Sequence, residues 1–158
     1  MRQAEVKIEP QLIREILDEV LELMLGNELA ISNVEVVRRY DYSIPEILTD
    51  RNQLVQVFVN LVKNAMDAMP GGGTLTVTTL RREEKVAISI MDTGCGMSQS
   101  QMERVFVPFF TTKDPGKGTG LGLSVSYGII QSFGGAFYVA SAPGKGATFT
   151  VELPLGVN

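Results

Sequence analysis

Asn60, Lys63, Asn64 and Asp67 recur at steps of three and four through an otherwise apolar stretch. Such steps return to one side of a helix, so two amides, an ammonium and a carboxylate share a stripe. Asparagine costs up to about 0.7 kcal/mol against alanine inside a helix, so two of them one turn apart need a reason. One reason is a solvated face. Another is a site where a cation and an anion are held together. Mg²⁺ takes hard oxygen ligands, keeps several waters and usually leans on substrate phosphates, and Lys63 could supply a point charge to a phosphate.

Two glycine-rich strings add to this chemistry. Gly116-Lys117-Gly118-Thr119-Gly120-Leu121-Gly122-Leu123-Ser124 places glycine at alternate positions and then enters an apolar periodic run. Without a Cβ the backbone N–H groups can approach a ligand closely, and a helix start adds free donors and a positive dipole end. Together these predict a phosphate cradle. The string has neither the Gly-Lys-Ser/Thr of a P-loop nor the third glycine of a dinucleotide fingerprint. In the second string, Asp92-Thr93-Gly94-Cys95-Gly96-Met97, an apolar strand delivers a carboxylate to an edge with two glycines clearing space beside it. A buried carboxylate needs a donor, and the exocyclic amine of adenine would be one. Cys95 reads as a small turn residue.

The elements that must position these residues follow from periodicity. Helical spacing predicts helices over 11–25, with Gly26 as the stop, over 51–69, with Asp50 as N-cap, over a short piece after Ser98, and over 122–133. Alternation predicts strands at 34–40, 74–80, 85–91, 136–141 and 147–153, with a polar turn at 81–84 and a terminal hairpin across 143–146. A short edge strand is expected at 5–8, ended by Pro10, and a long loop at 106–119. The order predicts an α/β chain: a two-layer sandwich with a mixed, mostly antiparallel sheet and three main helices on one face.

Composition narrows the classes. The 158 residues suit one domain with a full core. A net charge of −4 argues against nucleic acid as a partner. No apolar run reaches the ~20 residues of a membrane span. A single cysteine makes a reducing, cytoplasmic setting the expectation, and the complete lack of histidine excludes histidine chemistry within the chain.

On these motifs the chain resembles the ATP-binding catalytic domain of sensor histidine kinases, within the superfamily that includes gyrase, the ninety-kilodalton heat-shock chaperones and the mismatch-repair ATPases. Asn60-Leu61-Val62-Lys63-Asn64-Ala65 resembles the family's N box, and Asp92–Met97 its first glycine box. Phe106-Val107-Pro108-Phe109-Phe110 resembles the F box, Gly118–Leu123 the second glycine box, and Gly144-Lys145-Gly146-Ala147-Thr148-Phe149 the last. The five occur in order over nearly the whole chain, and the TTKDPGKGTGLGL string is similar to the nitrogen-regulator type.

The resemblance implies the Bergerat ATP-binding fold, with ATP and Mg²⁺ as cofactors. It implies that Asn64 coordinates Mg²⁺, that Asn60 and Lys63 contact phosphate oxygens or metal-bound water, and that Asp67 lies in the same site. Asp92 would accept the adenine amine, with Thr148 near the bridging water and Gly94, Gly96 and Met97 around the base. Residues 106–119 would form a mobile lid, with Thr112, Lys113 and Lys117 as candidate phosphate contacts beside Gly118, Thr119, Gly120, Leu121, Gly122 and Leu123. Hydrolytic branches of the superfamily place a general-base Glu where this chain has Asn60, so transfer is favoured over hydrolysis. The acceptor histidine would lie on a separate dimerisation domain of the same kinase, with a response regulator downstream. On this reading residues 1–158 are one excised catalytic domain, monomeric alone and lacking the sensor. An ATP-hydrolysing clamp and a non-enzymatic binding module are the alternatives.

Overall fold

The structure, a computed structural model, describes residues 5–26, 32–107 and 122–156. In chain order its elements are β1 (Glu9–Gln11), α1 (Ile13–Leu25), β2 (Val34–Arg39), β3 (Ile47–Thr49), α2 (Arg51–Asp67), β4 (Gly73–Arg82), β5 (Lys85–Met91), α3 (Gln99–Arg104), α4 (Gly122–Ser132), β6 (Ala136–Ser141) and β7 (Ala147–Pro154). Five strands form a sheet in the order β2-β4-β5-β7-β6, parallel only between β2 and β4. The helices cover one face of it, as the two-layer reading expects. Among the described residues no helix is long and apolar enough to cross a membrane.

Alternation sorts the sheet. Leu75, Val77, Val86, Ile88, Ile90, Phe149, Val151 and Leu153 are buried toward the helices. They meet Ile16, Leu17, Val20 and Leu21 of α1 and Leu54, Val57, Phe58, Leu61 and Val62 of α2. Asp50 starts α2: its Oδ1 accepts the Gln53 N–H at 3.0 Å, satisfying a donor that the helix itself cannot. Its Oδ2 accepts the Lys7 N–H at 2.8 Å, which ties the N-terminal segment to the same helix. Ser98 caps α3 in a reciprocal capping box with Gln101.

Two expectations fail near the N-terminus. Residues 5–8 are not a strand; the strand is Glu9–Gln11, and Pro10 lies inside it opposite Leu48 of β3. A proline is tolerated there because this two-stranded ribbon has an open edge, where no ladder N–H is needed. The partner strand Ile47–Thr49 is three residues long, too short to show a period in the sequence.

Candidate functional site

The alternation that buries Val86, Ile88 and Ile90 continues to Asp92, so β5 delivers this carboxylate to the helix side of the sheet, only 3% exposed. Its Oδ1 accepts the Gly94 N–H at 2.8 Å and the Ala147 N–H at 3.2 Å. No described residue donates to Oδ2. With Oδ1 doubly bonded and Oδ2 taking no donor from the described residues, the carboxylate keeps one oxygen able to accept a further hydrogen bond. Burial raises the carboxyl pKa above its ordinary value, against the opposing pull of the Gly94 and Ala147 N–H groups.

Around Asp92 the backbone folds onto itself. Asp92 N–H donates to the Ala147 carbonyl at 2.9 Å, Gly146 N–H to the Gly94 carbonyl at 3.1 Å, Gly144 N–H to the Cys95 carbonyl at 2.7 Å and Cys95 N–H to the Ala68 carbonyl at 3.1 Å. Ser141, which no sequence motif marks, closes the corner: its Oγ accepts the Met97 N–H at 2.8 Å and donates to the Gly146 carbonyl at 2.7 Å. The glycines here have a different purpose from the one expected. A Cβ on Gly94 would overlap the Ala68 carbonyl, and one on Gly96 the Ala142 carbonyl. The space they leave is filled by the chain's own backbone. Gly146 adds a left-handed φ of 74°, and a Cβ there would overlap the Asp92 carbonyl.

Thr148 does not belong beside Asp92. Strand pairing sets it opposite Met91 and Ala140, on the sheet face away from the helices, where Ser89 and Thr150 share a hydrogen bond of 3.0 Å. Ala147 is the neighbour of Asp92. The two positions differ by one residue, and one residue along a strand is a change of face.

The polar stripe lies on α2, opposite its apolar face. Asn60 and Asn64 are half-buried and Lys63 and Asp67 exposed, while Met66 is half-buried against the core. Asn60 Nδ2 donates to the Gly122 carbonyl at 3.3 Å and to Ser126 Oγ at 3.2 Å. α2 therefore touches both glycine strings, the 116–124 string through Asn60 and the Asp92–Met97 string through its C-cap Ala68. Eight residues separate these contacts, about 12 Å along the helix axis. Leu123 packs on the core from the first turn of α4, and Met97 does so beside the Asp92 turn. Thr112, Lys113, Lys117, Gly118, Thr119, Gly120 and Leu121, with the Phe109-Phe110 pair, lie outside the described residues. Phe106, which precedes them, sits in an aromatic cluster 4.7 Å from Phe137 and 4.9 Å from Tyr127, ring centre to ring centre.

Among the described residues no three acidic or thiol side chains converge as a metal cage. The donor set of α2 is amide oxygen, which suits a hard cation that draws its remaining ligands from phosphate and water.

Residues 49–157 match the family model described as histidine kinase-, DNA gyrase B- and HSP90-like ATPase. Sporulation kinase E of Bacillus subtilis (strain 168) is 40% identical over 149 residues, which span 94% of this chain and 19% of that protein. The crystal structure of full-length ShkA in complex with AMPPNP superposes with a TM-score of 0.85 at 30% identity, over 96% of this chain and 32% of that one. The histidine kinase ThkA, solved in complex with the response regulator protein TrrA, does so with a TM-score of 0.82 at 27% identity, over 96% and 42%. The chain thus spans a minor part of each of these relatives.

Proposed function

The chain belongs to the histidine kinase-, DNA gyrase B- and HSP90-like ATPase family, and from that premise we propose that it binds Mg²⁺-ATP between Asp92 and the α2 stripe. There it serves as the catalytic domain of a sensor histidine kinase, transferring the γ-phosphoryl group to a histidine on a separate dimerisation domain. The observation that carries the reading is Asp92: a buried carboxylate whose Oδ1 is spent on two backbone N–H groups and whose Oδ2 takes none from the described residues. Oδ2 is the acceptor for the exocyclic amine of adenine. The two N–H groups hold the carboxylate in one orientation, so the amine meets an acceptor already in place.

Asn64 offers its amide oxygen to the cation, one turn from Asn60, and Lys63 adds a positive charge on the same stripe. Mg²⁺, when bound, neutralises the charge that grows on the phosphate oxygens as the bond to the leaving oxygen breaks. Asn60 stands where the hydrolytic branches of the superfamily place a general-base glutamate; a carboxamide takes no proton at neutral pH, so water is not activated there. Phosphoryl transfer is mostly positioning and charge stabilisation, and a neutral imidazole needs little activation to attack. The acceptor histidine must come from elsewhere, because the chain has none. The ThkA complex supports a response regulator as the next acceptor.

Calorimetric titration with ATP and ADP, with and without Mg²⁺, alongside measured phosphate release, tests this. Tight Mg²⁺-dependent ATP binding with negligible free phosphate is expected, and labelling only when the histidine-bearing domain is added. Failure to bind any adenine nucleotide would overturn the reading, and steady phosphate release would replace transfer with hydrolysis.

A further inference from the structure

A carboxamide is nearly symmetric in outline, yet its nitrogen only donates and its oxygen only accepts. On Asn60 the neighbours decide which end is which. The Gly122 carbonyl, 3.3 Å from Nδ2, can only accept. Ser126 Oγ lies 3.2 Å from the same nitrogen. With two acceptors and two N–H bonds, the nitrogen is fully used inside the protein, and no described residue donates to Oδ1. Ser126 itself is 0% exposed. A hydroxyl costs free energy to bury unless it is hydrogen-bonded, and Asn60 supplies the partner. Nothing in the chemistry of α4 packing requires a polar group there; the other buried position of the helix is Ile130.

We propose that Ser126 is a positioning residue for the nucleotide site: it holds Asn60 with the nitrogen committed to α4 and the carbonyl oxygen left for the site, so that Asn60 meets a cation or a cation-bound water and does not donate to a phosphate oxygen. This deepens the Mg²⁺-ATP reading and rests on it. Ser126 reaches the nucleotide only through Asn60. Its removal releases one amide hydrogen and lets the carboxamide turn over, presenting a donor where an acceptor is needed.

The test uses the isosteric pair Ser126→Thr and Ser126→Val in the full chain. Both add the same bulk in a closed space, so any packing effect is common to them, and only threonine keeps the hydroxyl. The valine variant should bind Mg²⁺-ATP about three- to tenfold more weakly than the threonine variant, the loss of one net hydrogen bond. Binding of ADP without Mg²⁺ should be equal in the two. Equal Mg²⁺-ATP affinities would overturn the proposal. Because both variants could fail to fold, the unmodified, isotope-labelled chain gives a second reading. The Asn60 side-chain amide protons should exchange slowly with solvent and keep their shifts when Mg²⁺-ATP is added. Fast exchange, or a coupling from Asn60 Nδ2 to phosphorus, would also overturn it. If the unmodified chain binds no nucleotide, the nucleotide reading has failed on its own account, while the exchange measurement still reports on the Ser126 contact.

Discussion

The corner around Asp92 and the polar stripe of α2, which the proposed nucleotide site joins, are built by opposite means. At the corner the backbone does the holding: residues 92–97 and 144–147 are joined by main-chain hydrogen bonds, and Gly94, Gly96 and Gly146 allow strands and helix end to touch without side chains between them. On the stripe the backbone only sets direction. Asn60, Lys63, Asn64 and Asp67 project from a helix fixed by its apolar face, and Asn60 is tied across to α4 by two longer contacts. A flat base is recognised by donors and acceptors fixed in place, which a locked backbone supplies. A hydrated cation and its phosphates are drawn by charge, which acts at longer range and tolerates mobile side chains.

If the contrast is sound, substitutions at the corner should cost stability or selectivity, and those on the stripe should cost only the ionic part of binding. The largest effect is expected for Gly146→Ala. Overpacking against the Asp92 carbonyl costs up to about 3 kcal/mol, and the left-handed φ about 1 kcal/mol more. Thermal unfolding should fall by roughly 10 °C, at the few degrees per kcal/mol of a domain this size; an unchanged midpoint would mean the corner can open.

Asp92→Asn comes next. The two N–H groups keep the remaining oxygen, so the new NH₂ takes the place of Oδ2 and faces the adenine amine donor to donor. Adenine-nucleotide affinity should drop by about five- to 150-fold, from the 1–3 kcal/mol of a mismatched buried polar group, as calorimetry would read directly. Fold stability should move the other way at neutral pH. The folded-state pKa of Asp92 is raised, so the folded protein binds its proton more readily than the unfolded chain, and the ionised carboxylate is a cost above that pKa. The asparagine variant should therefore be at least as stable as the parent near pH 7. It should lose that advantage as pH falls through the raised folded-state pKa toward the ordinary carboxylate value, with no further change below it, a trend that denaturant titrations at several pH values would show.

Asn64→Ala should weaken Mg²⁺-dependent ATP binding about tenfold, one charge-assisted contact at 1.5 kcal/mol or so, and leave ADP binding without Mg²⁺ unchanged. Lys63 is exposed, so Lys63→Ala should cost about twofold at low salt and nothing near 1 M salt, where screening is nearly complete. A salt-independent loss would place Lys63 in a tighter contact than the stripe provides.

Much of this was visible before folding. The 3.6-residue period gave α2 its apolar and polar sides, Asp50 and Ser98 marked helix starts that their side chains do cap, and the two-residue period of β5 pointed its carboxylate to an edge. What escaped was set by contacts between distant segments. The β1–β3 ribbon pairs residues about forty apart and is too short to carry a pattern. Ser141 is an ordinary strand residue until Met97 and Gly146 arrive beside it. Ser126 lies in a helical run whose period says that it is inside, but not what it will meet there.

Residue type and local spacing were enough to establish the helices and main strands, the stripe of amides and the acidic turn, because these depend on periodicity and on chemistry carried by single side chains. Strand register, the partner of each buried polar atom and the reason for each glycine depend on which segment comes to lie against which. That is why Thr148 fell on the far face while Ala147 took its place, and why glycines that looked like room for a ligand proved to be room for the protein's own backbone.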